Sequence, residues 1–468
     1  MIIKKSGFHD LNISNAILIF LDFITLSFVF YFSIKNNELG QEVVQISVES
    51  LIVTVHFLLF TLPIQLAILA VGLYNEKIRE NFNGIIIRLV VAILLAYLFM
   101  VTLSLISPHY YLSSHTHELI YISALSALVF SRFIAINCHY ERLGKRRVLL
   151  IGYGQRAQLI HSTMRRKTDR VNFDIIGYVK INGDKTYDDN YIKPIELTMP
   201  LEKFIIDNNI NEVVVALDER RNNLPYNSLF HCKLHDIQVL DIIDFVERET
   251  GQIAINHIHP SFVLFNSKSD VNQLFEIFNW IFNTFVTLLV ISITWPLIFL
   301  TIILIKIEDG IFSPIFYTQK RVGIKGKVFT IYKFRSMIED AELNGEMMSS
   351  KSDNRITNVG YFIRKYRIDE LPQLFNILIG DMCFVGPRPE RPQFSKQFEH
   401  DIPFYTHRYL VKPGLTGWAQ LKYPYGDNIN DAKEKLKFDL YYIKHRSFIL
   451  DLLILIRTSE IVIFGKGR

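Results

Sequence analysis

Cysteine is scarce in this chain, with three in 468 residues. Cys138, Cys232 and Cys383 lie far apart and have neither Cys-x-x-Cys nor Cys/His ligand spacing. That argues against a disulfide framework and against a zinc site. Net charge is also low, +5 over the whole length, and no stretch gathers its basic residues into a stripe, so nucleic acid is a poor partner. No small-residue cleavage site follows the first apolar run, which therefore reads as a retained anchor rather than a signal peptide. Apolar residues are not lacking. They make up 50% of the chain, too many for an ordinary soluble protein, and the length allows two or three domains.

Four apolar stretches, Ile13 to Ile34, Leu51 to Leu73, Ile85 to Ile106 and Leu119 to about Ile136, each approach the ~20 residues a helix needs to cross hydrocarbon. Lys4 and Lys5 precede the first, Lys77 and Arg79 separate the second from the third, and Arg142, Lys145, Arg146 and Arg147 follow the fourth. Cations are retained in the cytoplasm, so both ends of this four-helix bundle are expected there. None of the four places a charged pair in its middle, and the expected role is anchoring without chemistry.

Past Lys145, a buried strand over Val148 to Ile151 runs into Gly152-Tyr153-Gly154-Gln155-Arg156-Ala157, a Rossmann-like turn that opens a helix. Apolar runs at Asp174 to Val179, Val213 to Leu217 and Val239 to Ile243 alternate with polar helical stretches, predicting a small parallel sheet. A dinucleotide site would want an acidic residue at the end of the second strand, which instead closes on Tyr178-Val179-Lys180. Structural or regulatory use of the turn competes with nucleotide binding.

A fifth apolar stretch, Ile277 to Ile305, is interrupted by Trp295-Pro296 and closed by Lys306, Glu308 and Asp309. A crossing here would send the rest of the chain, with its cation clusters, to the outer face. Proline removes one backbone donor and crowds the preceding turn, which kinks a helix. The expectation is a re-entrant helix broken near Pro296. The alternative is a plain span that tolerates its proline.

The remainder carries the chemistry. Gln319-Lys320-Arg321-Val322-Gly323, Lys333-Phe334-Arg335-Ser336-Met337, Arg364 through Gln373, Gly386-Pro387-Arg388-Pro389-Glu390 and Lys412 through Gln420 combine cations with glycine or proline punctuation. Such turns present cations to a phosphate-rich ligand. Within them stands the pair Asp369-Glu370. Adjacent helical side chains diverge by about 100°, so one carboxylate can act as nucleophile or metal ligand while the other supports it. A capping role for an acidic first turn is the bland alternative. The flanking arginines favour the first, since a carboxylate attacking a phosphoryl group needs its repulsion offset by cations or Mg²⁺.

These strings together resemble the catalytic module of the polyprenyl-phosphate hexose-1-phosphate transferases, the bacterial sugar transferase family, over about residues 273 to 468. With its four-helix front the whole chain is similar to the family's long form, the undecaprenyl-phosphate glucose and galactose phosphotransferases. The resemblance implies a membrane protein of three parts: a four-helix transmembrane domain over 1–144, a Rossmann-like α/β cytoplasmic domain over 145–265, and a re-entrant helix with a mainly helical catalytic module over 266–468. It implies transfer of a hexose-1-phosphate from a UDP-sugar, UDP-glucose or UDP-galactose by family frequency, to undecaprenyl phosphate with release of UMP. This would initiate exopolysaccharide, capsule or O-antigen synthesis at the cytoplasmic face of the bacterial inner membrane.

By the same resemblance Asp369 is the nucleophile and Mg²⁺ ligand, and Glu370 its dyad partner. Arg364 and Arg388 face substrate phosphate, with Lys333 and Arg335 as neighbours, and Pro296 is the helix break. A homodimer is among the assemblies implied. The loop Glu308 to Pro314 departs from the family's usual turn, which affects how the chain leaves the membrane helix. Two other classes of function compete. A nucleotide-sugar oxidoreductase would need a Tyr-x-x-x-Lys pair, which is absent between Val148 and Glu249. A catalytically silent membrane sensor or scaffold is opposed by the intact carboxylate and arginine set. The C-terminal run Phe448 to Phe464, interrupted by Asp451, Arg457 and Glu460, reads as interfacial.

Overall fold

The computed structural model describes residues 13–36, 50–74, 82–106, 114–137, 145–164, 167–170, 173–181, 194–197, 199–221, 223–257, 273–338, 355–423 and 428–463. The expected domain boundaries at 144 and 265, the flanking cations Lys4, Lys5, Lys77, Arg79 and Arg142, and Cys138 lie outside these residues. The chain divides into two units, Met1–Thr250 and Gly251–Arg468.

The first unit opens with four helices, α1 (Ile13–Asn36), α2 (Ser50–Ala70), α3 (Phe82–Ile106) and α4 (Ser114–Asn137). Consecutive helices pack on one another and α4 closes against α1, the antiparallel bundle expected of short connections. Ala16–Ser33, Gly84–Ser104 and Glu118–Asn137 are long and apolar enough to cross a membrane, whereas Thr54–Leu69 in α2 is apolar but shorter. Phe30, Phe60, Tyr121 and Tyr97 form a run of ring contacts 5.4–5.7 Å apart that touches all four helices.

The bundle also holds a buried ion pair that no single helix shows. Asp22 on α1 and Arg132 on α4 are buried and form an ion pair. Tyr74 donates a hydrogen bond to the same carboxylate at 2.6 Å, and the Arg132 guanidinium lies 5.5 Å from the Tyr74 ring centre. Read one helix at a time, the sequence shows only isolated charges. Folding turns two of them into a buried pair, whose disruption by removing one partner costs about 3–5 kcal/mol.

Four parallel strands follow, β1 (Arg146–Ile151), β2 (Phe173–Val179), β3 (Glu212–Val215) and β4 (Gln238–Asp241), in the order β2-β1-β3-β4. Their near-continuous apolar runs, VLLI in β1 and VVV in β3, suit a parallel sheet covered on both faces. One face carries a core with Val148, Leu150, Val214 and Phe245, the other a core with Leu149, Ile151, Val213 and Val215. Helices α5 (Leu159–Thr163), α6 (Leu201–Asp207), α7 (Tyr226–Leu234) and α8 (Ile242–Thr250) accompany the strands. Each strand lies where the apolar runs predicted it, except that Ile242 and Ile243 begin α8 instead of ending β4.

The glycine turn between β1 and α5 is explained by packing. Gly152 has φ +122°, and a Cβ there would sit 2.6 Å from the Ala216 carbonyl carbon. Beyond it the Asp218 carboxylate accepts hydrogen bonds from the Gln155 and Arg156 amides at 2.9 and 2.8 Å. These are the backbone donors that a phosphate would use at such a turn, and the protein's own anion holds them. Asp218→Ala leaves both amides without an acceptor, at about 1.5–3 kcal/mol for a hydrogen bond to a charged group. Hydrogen-exchange mass spectrometry should then show roughly tenfold or faster exchange over residues 152–160 while the four-helix bundle is unchanged.

The second unit begins with a long helix, α9 (Gln273–Asp309), 37 residues and about 55 Å. The helix runs through Pro296 without interruption, so the break expected there is not seen, and Glu276–Asp309 is long and apolar enough to cross a membrane. Ile281, Phe285, Leu289, Ile293, Trp295 and Phe299 leave one side apolar and exposed. On the other side Val286, Val290 and Ile291 join the main core of the unit, and Leu297, Ile298, Ile302 and Ile305 join a second core with Phe334, Ile363 and Ile368. Polar contacts hold both ends. Glu276 pairs with Arg446 at 2.9 Å and the Asn283 carboxamide accepts from the Phe384 amide at 2.8 Å. At the far end Glu308 accepts from the Asn358 and Val359 amides at 2.8 and 2.9 Å, and Asp309 pairs with Arg335 at 2.6 Å.

After α9 comes an antiparallel hairpin, β5 (Phe316–Val322) and β6 (Val328–Phe334), then α10 (Asn358–Lys365), a 3₁₀ turn over Ile368–Gln373 and α11 (Leu374–Ile379). The short parallel pair β7 (Cys383–Val385) and β8 (Gly414–Thr416) brackets α12 (Pro392–Asp401). Helices α13 (Trp418–Lys422), α14 (Ile429–His445) and α15 (Phe448–Ile463) complete the unit.

Candidate active site

Asp369 and Glu370 sit side by side on the 3₁₀ turn and both are buried. The residue that introduces the turn, Arg367, holds a left-handed φ of +55°, a costly conformation for a residue with a Cβ. It swings the arginine back over the carboxylates. Its Nε lies 3.4 Å from one oxygen of Glu370. The other oxygen lies 3.5 Å from the Lys333 ammonium of β6 and 3.4 Å from the Arg388 guanidinium of the loop after β7. Three cations from three segments thus converge on one carboxylate.

The electrostatics separate the pair. Burial would push Glu370 up, but Arg367, Lys333 and Arg388 outweigh it and hold Glu370 well below the usual carboxylate range. Asp369 moves the other way. Burial and then the neighbouring charge of Glu370 push it up, against Lys333, Arg364 and Arg367. Glu370 is a fixed anion that anchors cations, while Asp369 is the carboxylate whose proton is held more readily. Neither carboxylate caps the turn, whose N-cap is Arg367 in the left-handed region, but both stand in its acidic first turn, as the alternative reading expects.

Two glycine-rich strings bring Arg388 into place. Gly386 accepts no side chain because a Cβ would lie 2.4 Å from the Lys412 carbonyl, and a Cβ on Gly417 would lie 2.2 Å from the Gly386 carbonyl. Backbone bonds from Gly386 to Thr416 at 2.9 Å and from Gly414 to Pro387 at 3.0 Å lock the two loops together. Behind them Arg408 donates to the Arg388 carbonyl at 2.9 Å and pairs with Asp439 of α14 at 3.0 Å. The Arg388 side chain still keeps 38% of its surface exposed, so its free edge is open to a ligand.

Of the residues singled out in the sequence, Asp369, Glu370, Lys333, Arg364 and Arg388 come together here. Arg335 points elsewhere. Strand β6 ends at Phe334, so Arg335 escapes the strand's alternation and pairs with Asp309 at the end of α9. Three participants were not singled out: Arg367, Gln420 and Arg321. Period-2 alternation could have found Arg321, because β5–β6 register pairs Tyr317 with Lys333 and Arg321 with Phe329 on the same face. Its guanidinium lies 3.8 Å from Glu390 and donates to the Pro389 carbonyl at 3.1 Å. Among the described residues no group of three or more His, Cys, Asp or Glu side chains forms a metal cluster.

Burial pushes the Lys333 ammonium down to about 8, with Glu370 pulling it back up. Its neutral, nucleophilic form therefore appears as pH rises through about 8, where an exposed lysine waits for ~10.4. In Mg²⁺-free protein, acylation of Lys333 followed by mass spectrometry should show that earlier midpoint. In a Glu370→Gln variant the midpoint should move lower still, because the nearest anion is gone.

The site is thus a carboxylate pair under a cationic canopy, packed against an apolar helix, the equipment of a phosphoryl-handling enzyme at a membrane. The sequence comparisons agree with that class. Residues 274–465 match the family described as bacterial sugar transferase. The uncharacterized sugar transferase EpsL of Bacillus subtilis is 38% identical over 191 residues, 40% of this chain and 88% of that protein. The chain belongs to the bacterial sugar transferase family. A UDP-N-acetylgalactosamine-undecaprenyl-phosphate N-acetylgalactosaminephosphotransferase of Aeromonas hydrophila is 39% identical over 241 residues, 51% of this chain. A UDP-glucose:undecaprenyl-phosphate glucose-1-phosphate transferase of Klebsiella pneumoniae is 29% identical over 349 residues, 72% of this chain and 73% of that protein. The match spans about half, 55%, of the Aeromonas protein's length.

Proposed function

We propose that this protein transfers a sugar-1-phosphate from a UDP-sugar to undecaprenyl phosphate, with Asp369 as the nucleophile. The carrying observation is the split within the dyad: three cations within 3.5 Å hold Glu370 well below the usual carboxylate range, whereas burial and the charge of Glu370 push Asp369 up. One Asp369 oxygen attacks the β-phosphorus, the bond from that phosphorus to the bridging oxygen breaks, and UMP leaves with the electron pair. An oxygen of undecaprenyl phosphate then attacks the same phosphorus and returns the carboxylate. Lys333, Arg364, Arg367 and Arg388 offset the phosphate charge throughout, the kind of help phosphoryl transfer chiefly needs. The transfer would begin the assembly of a surface polysaccharide.

The donor set suits Mg²⁺ carried by the substrate. Mg²⁺ is usually held by one or two carboxylates plus substrate phosphates, and Asp369 is the carboxylate with an oxygen to offer. When bound it would neutralise diphosphate charge. The sugar is a hexose or N-acetylhexosamine. UDP-glucose and UDP-galactose were favoured by family frequency, and the N-acetylgalactosamine relative widens the choice.

The setting of this site completes the reading. The sheet of the first unit is a Rossmann-like cytoplasmic domain, and α9 is re-entrant at the inner membrane. What supports re-entry is that both ends of α9 are tied by polar contacts to the same module, Glu276 to Arg446 and Glu308 to the start of α10. A helix crossing the membrane would separate those partners by the full bilayer. Single cysteines at Lys306 and Lys325 should therefore be labelled by a membrane-impermeant thiol reagent in inside-out vesicles only. Labelling in right-side-out vesicles would rule out re-entry.

The activity is tested with the full chain in lipid nanodiscs, a panel of UDP-sugars and Mg²⁺. UMP release with one donor, dependent on undecaprenyl phosphate and reduced at least 10³-fold by Asp369→Asn, is expected. Release by the variant at the unmodified rate would remove Asp369 from the mechanism.

A further inference from the structure

The Lys412–Gln420 string contributes glycines to the loop lock, but its last residue has a separate place. The Gln420 side-chain oxygen accepts from Arg367 Nη2 at 3.2 Å and from Arg388 Nη1 at 3.5 Å. Guanidinium groups only donate, so two of them fix which end of the amide faces them. The amide nitrogen is turned away, buried, and without a hydrogen-bond partner among the described residues.

We infer that Gln420 is a positioning residue that gives Arg367 and Arg388 a second acceptor beside Glu370 and so holds both guanidinium groups in place for the substrate diphosphate. The inference rests on the transfer reaction proposed above. Both arginines already touch Glu370, and one contact leaves a long side chain free to swing. A second acceptor fixes each guanidinium by two points. The acceptor must be neutral. A carboxylate here would hold the same two cations and also cancel charge that the diphosphate has to meet.

Gln420 is well supported for this work. It lies on α13, whose first residue Trp418 donates to the Gly251 carbonyl at 2.8 Å and packs under the Lys422 ammonium at 4.7 Å. The helix starts from Gly417, pressed against the Gly386 carbonyl. The clasp therefore stands on a helix fixed by Trp418 and by the same glycine lock that places Arg388, as precise sites require.

The test uses the full chain in nanodiscs as the unmodified protein, Gln420→Glu and Gln420→Leu, each checked for an unchanged unfolding temperature. UMP release is measured against UDP-sugar concentration, and binding of UDP with Mg²⁺ is measured by titration calorimetry. Gln420→Glu keeps two acceptor contacts and should raise KM and weaken UDP binding about tenfold, with a smaller effect on kcat. Gln420→Leu loses the clasp and should lower kcat at least tenfold. Folded variants that bind UDP and turn over within twofold of the unmodified protein would overturn the inference. If the unmodified protein releases no UMP from any donor, the transfer reaction falls, and the UDP-binding arm alone decides for or against Gln420.

Discussion

Two carboxylates on adjacent buried residues repel each other, and the second unit is organised around managing that repulsion. At an effective dielectric near 20, two unit charges 4 Å apart interact by about 4 kcal/mol, comparable with much of a domain's net stability. Lys333, Arg367 and Arg388 answer it by surrounding Glu370. Each comes from a different stretch of chain, a strand end, a left-handed turn and a glycine-locked loop. Arg367 reaches Glu370 within the same turn, while the hairpin and the glycine-locked loop bring Lys333 and Arg388 to it. The dyad is therefore assembled by tertiary structure, and its asymmetry follows from where the cations fall.

The same arrangement couples chemistry to the membrane helix. Ile305 near the end of α9 packs with Phe334, Ile363 and Ile368, the immediate neighbours of Lys333, Arg364 and Asp369 in sequence. Arg335, next to Phe334, holds Asp309 where the helix stops. A shift of α9 would thus be felt at all three site segments together. In the proposed reaction the acceptor's phosphate sits at headgroup depth, and this coupling would hold the carboxylate at the same depth.

Much of this was legible in the amino-acid order, for identifiable reasons. Strands of a parallel sheet announce themselves as apolar runs, and β1 to β3 lie where such runs stand. Asp369, Glu370, Lys333 and Arg388 were visible because charge clusters flanked by glycine and proline are rare outside ligand sites. Arg335 was misplaced by adjacency, since the strand ends at Phe334 just before it and no longer sets its direction. Gln420 could not be seen, because a neutral amide carries no charge signal and its meaning arises from two arginines 53 and 32 positions earlier. Asp22 and Arg132 each look like a lone charge in an apolar helix, and only the bundle's closure of α4 on α1 makes them a pair.

That closure has a consequence for how the protein is made. Asp22 and Arg132 lie 110 positions apart, so α1 is synthesised with an uncompensated carboxylate long before its guanidinium exists. A charge at the centre of a helix in hydrocarbon costs a few kcal/mol on insertion scales, which makes α1 a reluctant guest of the bilayer until α4 arrives. The last helix of the bundle is then the one that commits the first, and a nascent chain arrested between them would hold α1 near water or in the insertion machinery.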